Sequence, residues 1–151
     1  MSERIRVDAG LCRDCQACTL ACSLTHEGEC NLSLARLLVI KDMARYEFHI
    51  QICQHCDSPD CMAACPNEAM RRDDRGVVII VEEECIRCGA CLASCPYHAI
   101  FYYEAGDRYL KCDLCAGRES GPVCVELCPV GALTMSADAG VLGGRADADR
   151  P

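Results

Sequence analysis

Sixteen of the seventeen cysteines fall into four loops, each with a short and regular spacing. The most regular loop runs from Cys85 to Cys95, is followed by Pro96, and reads C-x2-C-x2-C-x3-C-P. This spacing holds 4Fe-4S cubanes, because three thiolates wrap one cluster while the offset fourth cysteine binds a neighbouring cluster. Gly89 lets the backbone pass close to inorganic sulfide without an intervening side chain. The chemistry that these residues predict is iron–sulfur binding.

The other three loops vary this spacing in specific places. The first loop has Ser23 instead of the trailing proline, so we expect its last turn to continue as a helix. The second and fourth loops carry longer inserts, Asp57–Asp60 and Ala116–Val123, before their third cysteine. We predict four complete 4Fe-4S clusters with no open metal position for substrate chemistry, and therefore no catalytic residue. The candidate ligands are Cys12, Cys15, Cys18, Cys22, Cys53, Cys56, Cys61, Cys65, Cys85, Cys88, Cys91, Cys95, Cys112, Cys115, Cys124 and Cys128.

Disulfides and zinc are the alternative uses of so many cysteines. The chain has no Trp and only two Phe, so its ordinary core is thin and needs additional cross-links. Met1–Gly10 is charged and has no apolar signal region, so we expect a reducing, cytoplasmic location in which disulfides are rare. Zinc sites also use C-x2-C pairs, but a triplet with an offset fourth cysteine, followed by proline in three of four loops, favours iron.

The formal charge of −8 argues against nucleic-acid binding, because no basic surface is available to neutralise phosphates. We expect an acidic carrier of this kind to meet a basic patch on a protein partner. The longest apolar run, Val77–Val81, is far too short to span a bilayer, and we predict no direct membrane insertion.

Short strands and turns separate the cysteine loops, which predicts an α+β fold. Alternating residues predict strands, and the connections Lys41–Ala44 and Gly106–Asp107 predict hairpins between them. The predicted pieces are a strand at Arg4–Val7, a hairpin of Leu37–Ile40 with Arg45–Ile52, a turn at Asp73–Gly76 before a buried strand at Val77–Val81, a hairpin of Ile100–Tyr103 with Arg108–Leu110, and a closing segment at Ala132–Met135.

The four loops, their two inserts and the run Cys124–Pro129 resemble the four-cluster ferredoxin-like electron-transfer subunits. These serve molybdenum and tungsten pterin oxidoreductases, including aldehyde oxidoreductases, as well as hydrogenases and carbon monoxide dehydrogenases. The resemblance covers Ile5 to about Met135 and implies two nested bacterial-ferredoxin-like modules with short hairpins and helical turns around four cubane clusters. The implied domain is 1–135, with an outer half of 1–34 plus 105–135 and an inner half of 35–104. Residues 136–151 form a tail that we predict to be a contact arm for another subunit or a second copy.

The family's ligand pattern implies that each cluster takes three cysteines from one loop and the fourth from another. We name the resulting sets by number. Group 1 is Cys12, Cys15, Cys18 and Cys128; group 2 is Cys112, Cys115, Cys124 and Cys22; group 3 is Cys53, Cys56, Cys61 and Cys95; group 4 is Cys85, Cys88, Cys91 and Cys65.

The resemblance implies a non-catalytic subunit that relays single electrons between a catalytic oxidoreductase subunit and an acceptor or donor. A pterin enzyme such as an aldehyde oxidoreductase is the favoured partner, with a hydrogenase or a carbon monoxide dehydrogenase as the other possibilities. The long inserts and membrane-anchoring helix of larger relatives are absent, which argues against a direct quinone role. The alternative is a structural or assembly subunit whose clusters chiefly hold the fold.

A few residues near the loops have two interpretations. Cys30 has no partner at ligand spacing, and we predict a free thiol. His55 is either a donor to a cluster sulfur or a solvated side chain, and we predict that it is solvated, like His26, His49 and His98. Positive charge beside the ligands either raises a cluster potential or is simply hydrated, and the residues concerned are Arg13, Arg87 and Lys111.

Overall fold

Short strands and helices follow one another through residues 3–136, the part of the chain that the computed structural model describes. This is the α+β class that the alternating patterns predict. The strands are β1 (Arg4–Val7), β2 (Leu37–Asp42), β3 (Glu47–Ile52), β4 (Met70–Arg72), β5 (Val78–Ile80), β6 (Ile100–Tyr103), β7 (Arg108–Lys111) and β8 (Leu133–Ser136). The helices are α1 (Ala17–Glu27), α2 (Asp60–Ala63), α3 (Ala90–Ser94) and α4 (Val123–Glu126), with 3-10 turns at Ala9–Leu11, Leu32–Leu34, Glu82–Glu84 and Glu104–Gly106.

The described strands form four antiparallel pairs, β1–β8, β2–β3, β4–β5 and β6–β7. The predicted hairpins β2–β3 and β6–β7 are present, but Tyr46, which lies within the predicted strand Arg45–Ile52, is in the β2–β3 turn and 78% exposed. Sequence reasoning missed β4, which pairs with the predicted buried strand around a turn closed by Asp73. Pairing of β1 with β8 sets Arg4 opposite Ser136, so the fourth loop returns beside the first.

Each of the four helices carries the third cysteine of its loop as its second residue, namely Cys18, Cys61, Cys91 and Cys124. Three of these helices are only four or five residues long, whereas α1 continues for 11 residues and ends at Gly28 in the left-handed region. The continuation past Cys22 follows from the missing proline and confirms the prediction for the first loop.

Cysteines make up a large part of the buried core. The larger apolar cluster joins Ile5, Ile52 and Leu133 to buried cysteines from all loops except the third. A second cluster packs Met70, Ile100 and others around Cys61 and Cys91. The apolar side chains therefore line the cysteine groups instead of forming a separate core, as the scarcity of aromatic residues leads one to expect.

A partly buried ionic network fastens the end of α1 to distant segments. Asp113 accepts from His26 at 3.0 Å and pairs with Arg36 at 2.9 Å. Glu27 pairs with Arg108 of β7 at 2.5 Å and lies 3.8 Å from Arg36. These contacts connect the first loop, the start of β2, β7 and the fourth loop, which the sequence separates widely.

Two predicted boundaries have a simple structural description. The β6–β7 hairpin crosses the predicted border between residues 104 and 105, because its strands lie on opposite sides of it. The predicted contact arm, Ser136–Pro151, lies outside the described residues apart from Ser136, which ends β8. Within residues 3–136, no helix is both long and apolar enough to cross a membrane.

Glu27→Gln should lower the midpoint of thermal unfolding of the iron-loaded chain by roughly 3–6 °C. The change removes the negative charge of a carboxylate whose side chain is only 15% exposed, so Arg36 and Arg108 lose their charged partner. We expect the free energy of unfolding to fall by about 1–2 kcal/mol. Anaerobic calorimetry or circular dichroism measures the shift.

The matched control is Glu84→Gln, because Glu84 pairs with Arg71 at 2.6 Å where the two side chains are 36% and 55% exposed. An exposed pair contributes less than about 1 kcal/mol, so the midpoint should move by no more than about 2 °C. Equal shifts for the two variants would contradict a special role for the Glu27 network.

Candidate metal centres

The first half of every cysteine loop adopts the same unusual backbone. The residue just before the second cysteine has a positive φ in all four loops, at Asp14, His55, Arg87 and Leu114. This turn points successive backbone N–H groups inward, in the manner of an anion-binding nest. Two of these N–H groups reach the sulfur of the first cysteine, from His55 to Cys53 and from Leu114 to Cys112, both at 3.4 Å. The loops thus present hydrogen-bond donors to sulfur.

The polypeptide enters the four helices by two different routes. In the first and third loops, Gln16 and Gly89 precede the helix with φ of 59° and 78°. In the second and fourth loops, where the inserts lie, Pro59 and Pro122 take this place with extended backbone. The sequence carries this signal as Pro-x-Cys at the end of both inserts, and sequence reasoning missed it. Both routes bring the third cysteine to the same position on its helix.

The fourth cysteine begins a second repeated unit, Cys-Pro-x-x-Ala, in three of the loops. The fourth residue has a positive φ each time, at Glu68, His98 and Gly131. The alanine that follows is at most 2% exposed, and its N–H donates to the cysteine sulfur at 3.5 Å in Ala99 and 3.2 Å in Ala132. Each unit leads directly into a strand, β4, β6 or β8, so the cysteine is fixed by the start of that strand.

The first loop replaces this unit with contacts from elsewhere in the chain. Cys22 lies inside α1, and its sulfur accepts the N–H of Arg36 at 3.3 Å. The His26 ring nitrogen Nδ1 lies 3.7 Å from the same sulfur and 2.8 Å from the Cys22 carbonyl oxygen. A sulfur donor is therefore present here as well, although the local sequence lacks proline.

The cysteines of groups 3 and 4 surround two separate cavities. One cavity, about 350 Å³ including its open part, is lined by all four cysteines of group 3 together with His55 and Lys111. The other, about 320 Å³ on the same basis, is lined by all four cysteines of group 4 together with Gly89 and Tyr109. Each cavity thus combines three cysteines of one loop with the fourth cysteine of the other loop.

Groups 1 and 2 are brought together in the same exchanged manner. Burial, together with the charges of the other three cysteines of group 1, raises the pKa of Cys18 to about 11. Burial, together with the charges of Cys22 and Cys115 of group 2, raises the pKa of Cys124 to about 12. The first and fourth loops therefore exchange their last cysteines, just as the second and third do.

The four groups follow one another in numerical order through the molecule. Cys18 of group 1 lies beside Cys124 of group 2, and Cys112 of group 2 lies beside Cys53 of group 3. Groups 3 and 4 share one apolar cluster. Cys15 of group 1 and Cys88 of group 4 are exposed, whereas all four cysteines of group 2 are buried. The row has an exposed cysteine at each end, and the cysteines between them are buried or half-buried.

These sites fit the demands of cubane clusters. Four thiols, contributed by two loops, lie around a space and receive backbone N–H donors, which a sulfur-rich anion needs. Several of the buried thiols have raised pKa values: burial raises the pKa of Cys61 to about 11 and that of Cys112 well above its usual range. Iron displaces these protons when it binds as a thiolate complex, so loading releases protons.

The structure changes the interpretation of several neighbouring side chains. The prediction of solvated histidines is wrong for His55, which is 0% exposed, and for His26, whose side chain is 10% exposed. Residues distant in sequence bury these two histidines, as the contacts of His26 with Asp113 and of His55 with Val78 show, and the local sequence does not reveal them. Lys111 is only 5% exposed. The other residues that the sequence analysis singled out near the loops are exposed, namely Cys30, Arg13, Arg87, His49 and His98.

Residues 44–138 match the family described as the 4Fe-4S dicluster domain, which is more than half of the sequence. This protein belongs to the 4Fe-4S dicluster family. The match covers the second, third and fourth loops, and the sixteen cysteines of the four loops suffice for four 4Fe-4S clusters.

Several named relatives support membership of this family. The putative electron transport protein YsaA of Escherichia coli K12 is 33% identical over 142 residues, which cover 88% of each protein. The thiosulfate reductase electron transfer subunit PhsB of Salmonella typhi is 31% identical over 136 residues, or 83% of this protein and 71% of PhsB. One subunit of the active site complex BamBC of benzoyl coenzyme A reductase superposes with a TM-score of 0.56 at 29% identity, covering 89% of this protein and 78% of that subunit.

Some relatives are considerably longer. The match spans 23% of the putative oxidoreductase AegA and 61% of the ferredoxin-like protein YdhX, both of Escherichia coli K12. The family match and the solved structure confirm the predictions of a ferredoxin-like α+β fold and of 4Fe-4S clusters, and relatives such as PhsB are named as electron transfer subunits.

Gly89→Ala should disturb the group 4 site by more than the backbone strain of a left-handed alanine alone. An added Cβ would meet the Tyr109 hydroxyl at 3.0 Å, at a backbone φ of +78°. We expect the melting midpoint to fall by roughly 5 °C or more, from left-handed strain of about 1–2 kcal/mol plus the displaced tyrosine, together with an altered spectrum of one reduced cluster.

Gly117→Ala separates the two causes, because Gly117 has a φ of +86° and nothing within 4 Å of the added Cβ. It should lower the midpoint by only about 2–4 °C and leave the spectra of all clusters unchanged. If both variants behave alike, contact with Tyr109 does not constrain the site.

Proposed function

We propose that this chain relays single electrons through four 4Fe-4S clusters held by groups 1, 2, 3 and 4. The ligands would be the sixteen cysteines of those groups, each cluster taking its fourth thiolate from a different loop. A bound 4Fe-4S cluster accepts and releases one electron with little rearrangement, and the protein around it sets its potential. The two halves that we propose, 1–34 with 105–135 and 35–104, hold groups 1 and 2 and groups 3 and 4, respectively.

The row of cysteine groups is the observation that carries this proposal. Its ends have exposed cysteines, Cys15 and Cys88, and between them the cysteines of group 2 are buried and those of group 3 are buried or half-buried. An electron carrier between two partners needs two accessible ends, so that each partner approaches one terminal group, and an interior that water does not reach. A protein that used clusters only for cross-linking has no such need.

Exposed apolar side chains near both ends favour protein partners there. Ile86 and Leu92, which flank Cys88 in the third loop, are 60% and 37% exposed. Near group 1, Leu127 and Val130 flank Cys128 and are 49% and 38% exposed. Such patches on an otherwise acidic surface suit protein interfaces.

The partner that we propose at one end is a catalytic oxidoreductase subunit. The relatives support this class of partner, since PhsB is named as the electron transfer subunit of a thiosulfate reductase and another relative is a subunit of the anaerobic dimethyl sulfoxide reductase of Escherichia coli K12. Within the class we favour a molybdenum or tungsten pterin enzyme such as an aldehyde oxidoreductase, ahead of a hydrogenase or a carbon monoxide dehydrogenase. A reducing, cytoplasmic location is part of the proposal, because thiols stay available for iron there.

A structural role is the second candidate, and the composition of the core favours it. Buried cysteines fill both apolar clusters, so bound iron would contribute strongly to folding under either function. Reversible reduction distinguishes the two, because a cluster that serves only as a cross-link need not exchange electrons with an external partner.

Anaerobic reconstitution of the full chain tests the proposal. Iron and acid-labile sulfide should each reach about 16 per chain, and a low-potential donor should deliver about four electrons that an oxidant recovers. A stoichiometric zinc content would contradict the relay. So would an iron content of only about half the expected value, or clusters that are not reduced reversibly.

Two exposed cysteines provide a matched pair of variants. Cys88→Ser should remove or convert the cluster of group 4 and slow electron exchange at that end. Cys30→Ser should leave the iron content and the reduced-state paramagnetic spectrum unchanged, since Cys30 is exposed and outside every group. Loss of a whole cluster in Cys30→Ser would contradict the ligand assignment.

A further inference from the structure

Lys111 is a buried amine in the middle of the molecule. It ends β7 immediately before the fourth loop and is 5% exposed. Its Nζ donates to the backbone carbonyl of Val78 and, at 3.2 Å, to that of Cys112. It also lines the cavity that the four cysteines of group 3 surround. One side chain therefore lies where group 2 and group 3 meet.

No described acid neutralises this charge at close range. The ion pairs found within residues 3–136 include the other lysine of the sequence, Lys41, which pairs with Asp14 at 2.7 Å, but they do not include Lys111. Both partners of its Nζ are carbonyl oxygens, which orient an ammonium group without cancelling its charge. A buried and unneutralised cation acts strongly on nearby groups, because little water screens it.

The histidine in this wall does not carry positive charge. His55 is fully buried, and its Nδ1 accepts the N–H of Val78 at 3.2 Å, so that nitrogen bears no proton. Asp60 is the carboxylate among the residues that line the cavity, and Lys111 is the cation. Outside the lining, Arg72 donates to the carbonyl oxygens of Cys56 and Asp57, and Asp73 and Asp113 act on His55.

The same ammonium lies close to cysteines of two groups. It lines the cavity that Cys61 and the other cysteines of group 3 surround, and it donates to the carbonyl oxygen of Cys112 of group 2 at 3.2 Å. The cavity that the ammonium group faces is that of group 3.

We propose that Lys111 sets the electron affinity of the third site in the row by stabilising the negative charge that reduction adds to the group 3 cavity. Reduction there adds one electron from the neighbouring site or from an external donor, and thus one negative charge, without gain or loss of atoms. A fixed cation in the cavity wall favours that reduced state and raises the potential. Lys111 thereby raises the reduction potential at the group 3 site, which lies next to group 2 in the row. This inference rests on the proposed ligation of the groups.

Redox titration of the reconstituted full chain, followed by electron paramagnetic resonance, tests the role of the charge. Lys111→Met and Lys111→Gln should both lower the potential of one couple by at least the equivalent of a tenfold change in its reduced-to-oxidised ratio, about 59 mV for one electron. Lys111→Arg should keep the wild-type value within a threefold change. The couple belongs to group 3 if it is also the one that Cys56→Ser alters.

Lys41→Met is the matched control, because it removes the only other lysine at an exposed, ion-paired position. It should leave the group 3 couple unchanged. Wild-type potentials in Lys111→Gln would overturn the proposal, since the hydrogen bonds and not the charge would then set the value. An equal fall in Lys111→Arg would overturn it as well.

The same samples separate this inference from the proposed function. If the wild-type chain holds fewer than four clusters by iron and sulfide content, the relay itself is wrong. If four clusters are present in every lysine variant and no couple moves, only the role of Lys111 is wrong. Should Lys111→Met fail to fold, Lys111→Gln and Lys111→Arg still decide the question.

Discussion

The exchange of the fourth cysteine between loops is the constraint on which the rest of this structure depends. Each group takes three cysteines from one loop and one from another, so a metal site closes only when segments far apart in sequence meet. The meeting of Cys128 with the first loop requires β8 to pair with β1, and that of Cys22 with the fourth loop requires α1 to lie beside α4. Strand pairing and site formation are therefore one event.

Burial and iron binding act together on the thiols. The interior of the molecule contains few large apolar side chains, and burial keeps thiols such as Cys112 and Cys124 protonated. Backbone N–H groups aimed at sulfur have the opposite preference, because they stabilise thiolates and sulfide. Iron resolves this opposition by taking the place of the protons, and folding free energy and metal-binding free energy then become inseparable.

Much of this architecture follows from the sequence, because cysteine spacing is a rigid signal. The four loops, the two predicted hairpins, the buried strand β5 and the continuation of α1 past Cys22 all depend on local rules. Strand β4 was missed because its three residues, two of them arginines, are too few to show an alternating pattern. It is a strand because it pairs with β5 across the Asp73 turn. Burial of His55 and Lys111 was missed for a different reason. It depends on packing between segments that are distant in sequence, such as the contacts of both side chains with Val78, and a single sequence does not reveal which segments meet.

The most direct test of the exchanged cysteines is anomalous X-ray diffraction at the iron edge from crystals of the reconstituted protein. The account predicts four iron clusters in one row, each bonded to the four sulfurs of a single group, with Cys128 and Cys22 bonded across the first and fourth loops. Clusters bonded only to cysteines of one loop would contradict it, and so would a row in a different order or anomalous signal at the zinc edge.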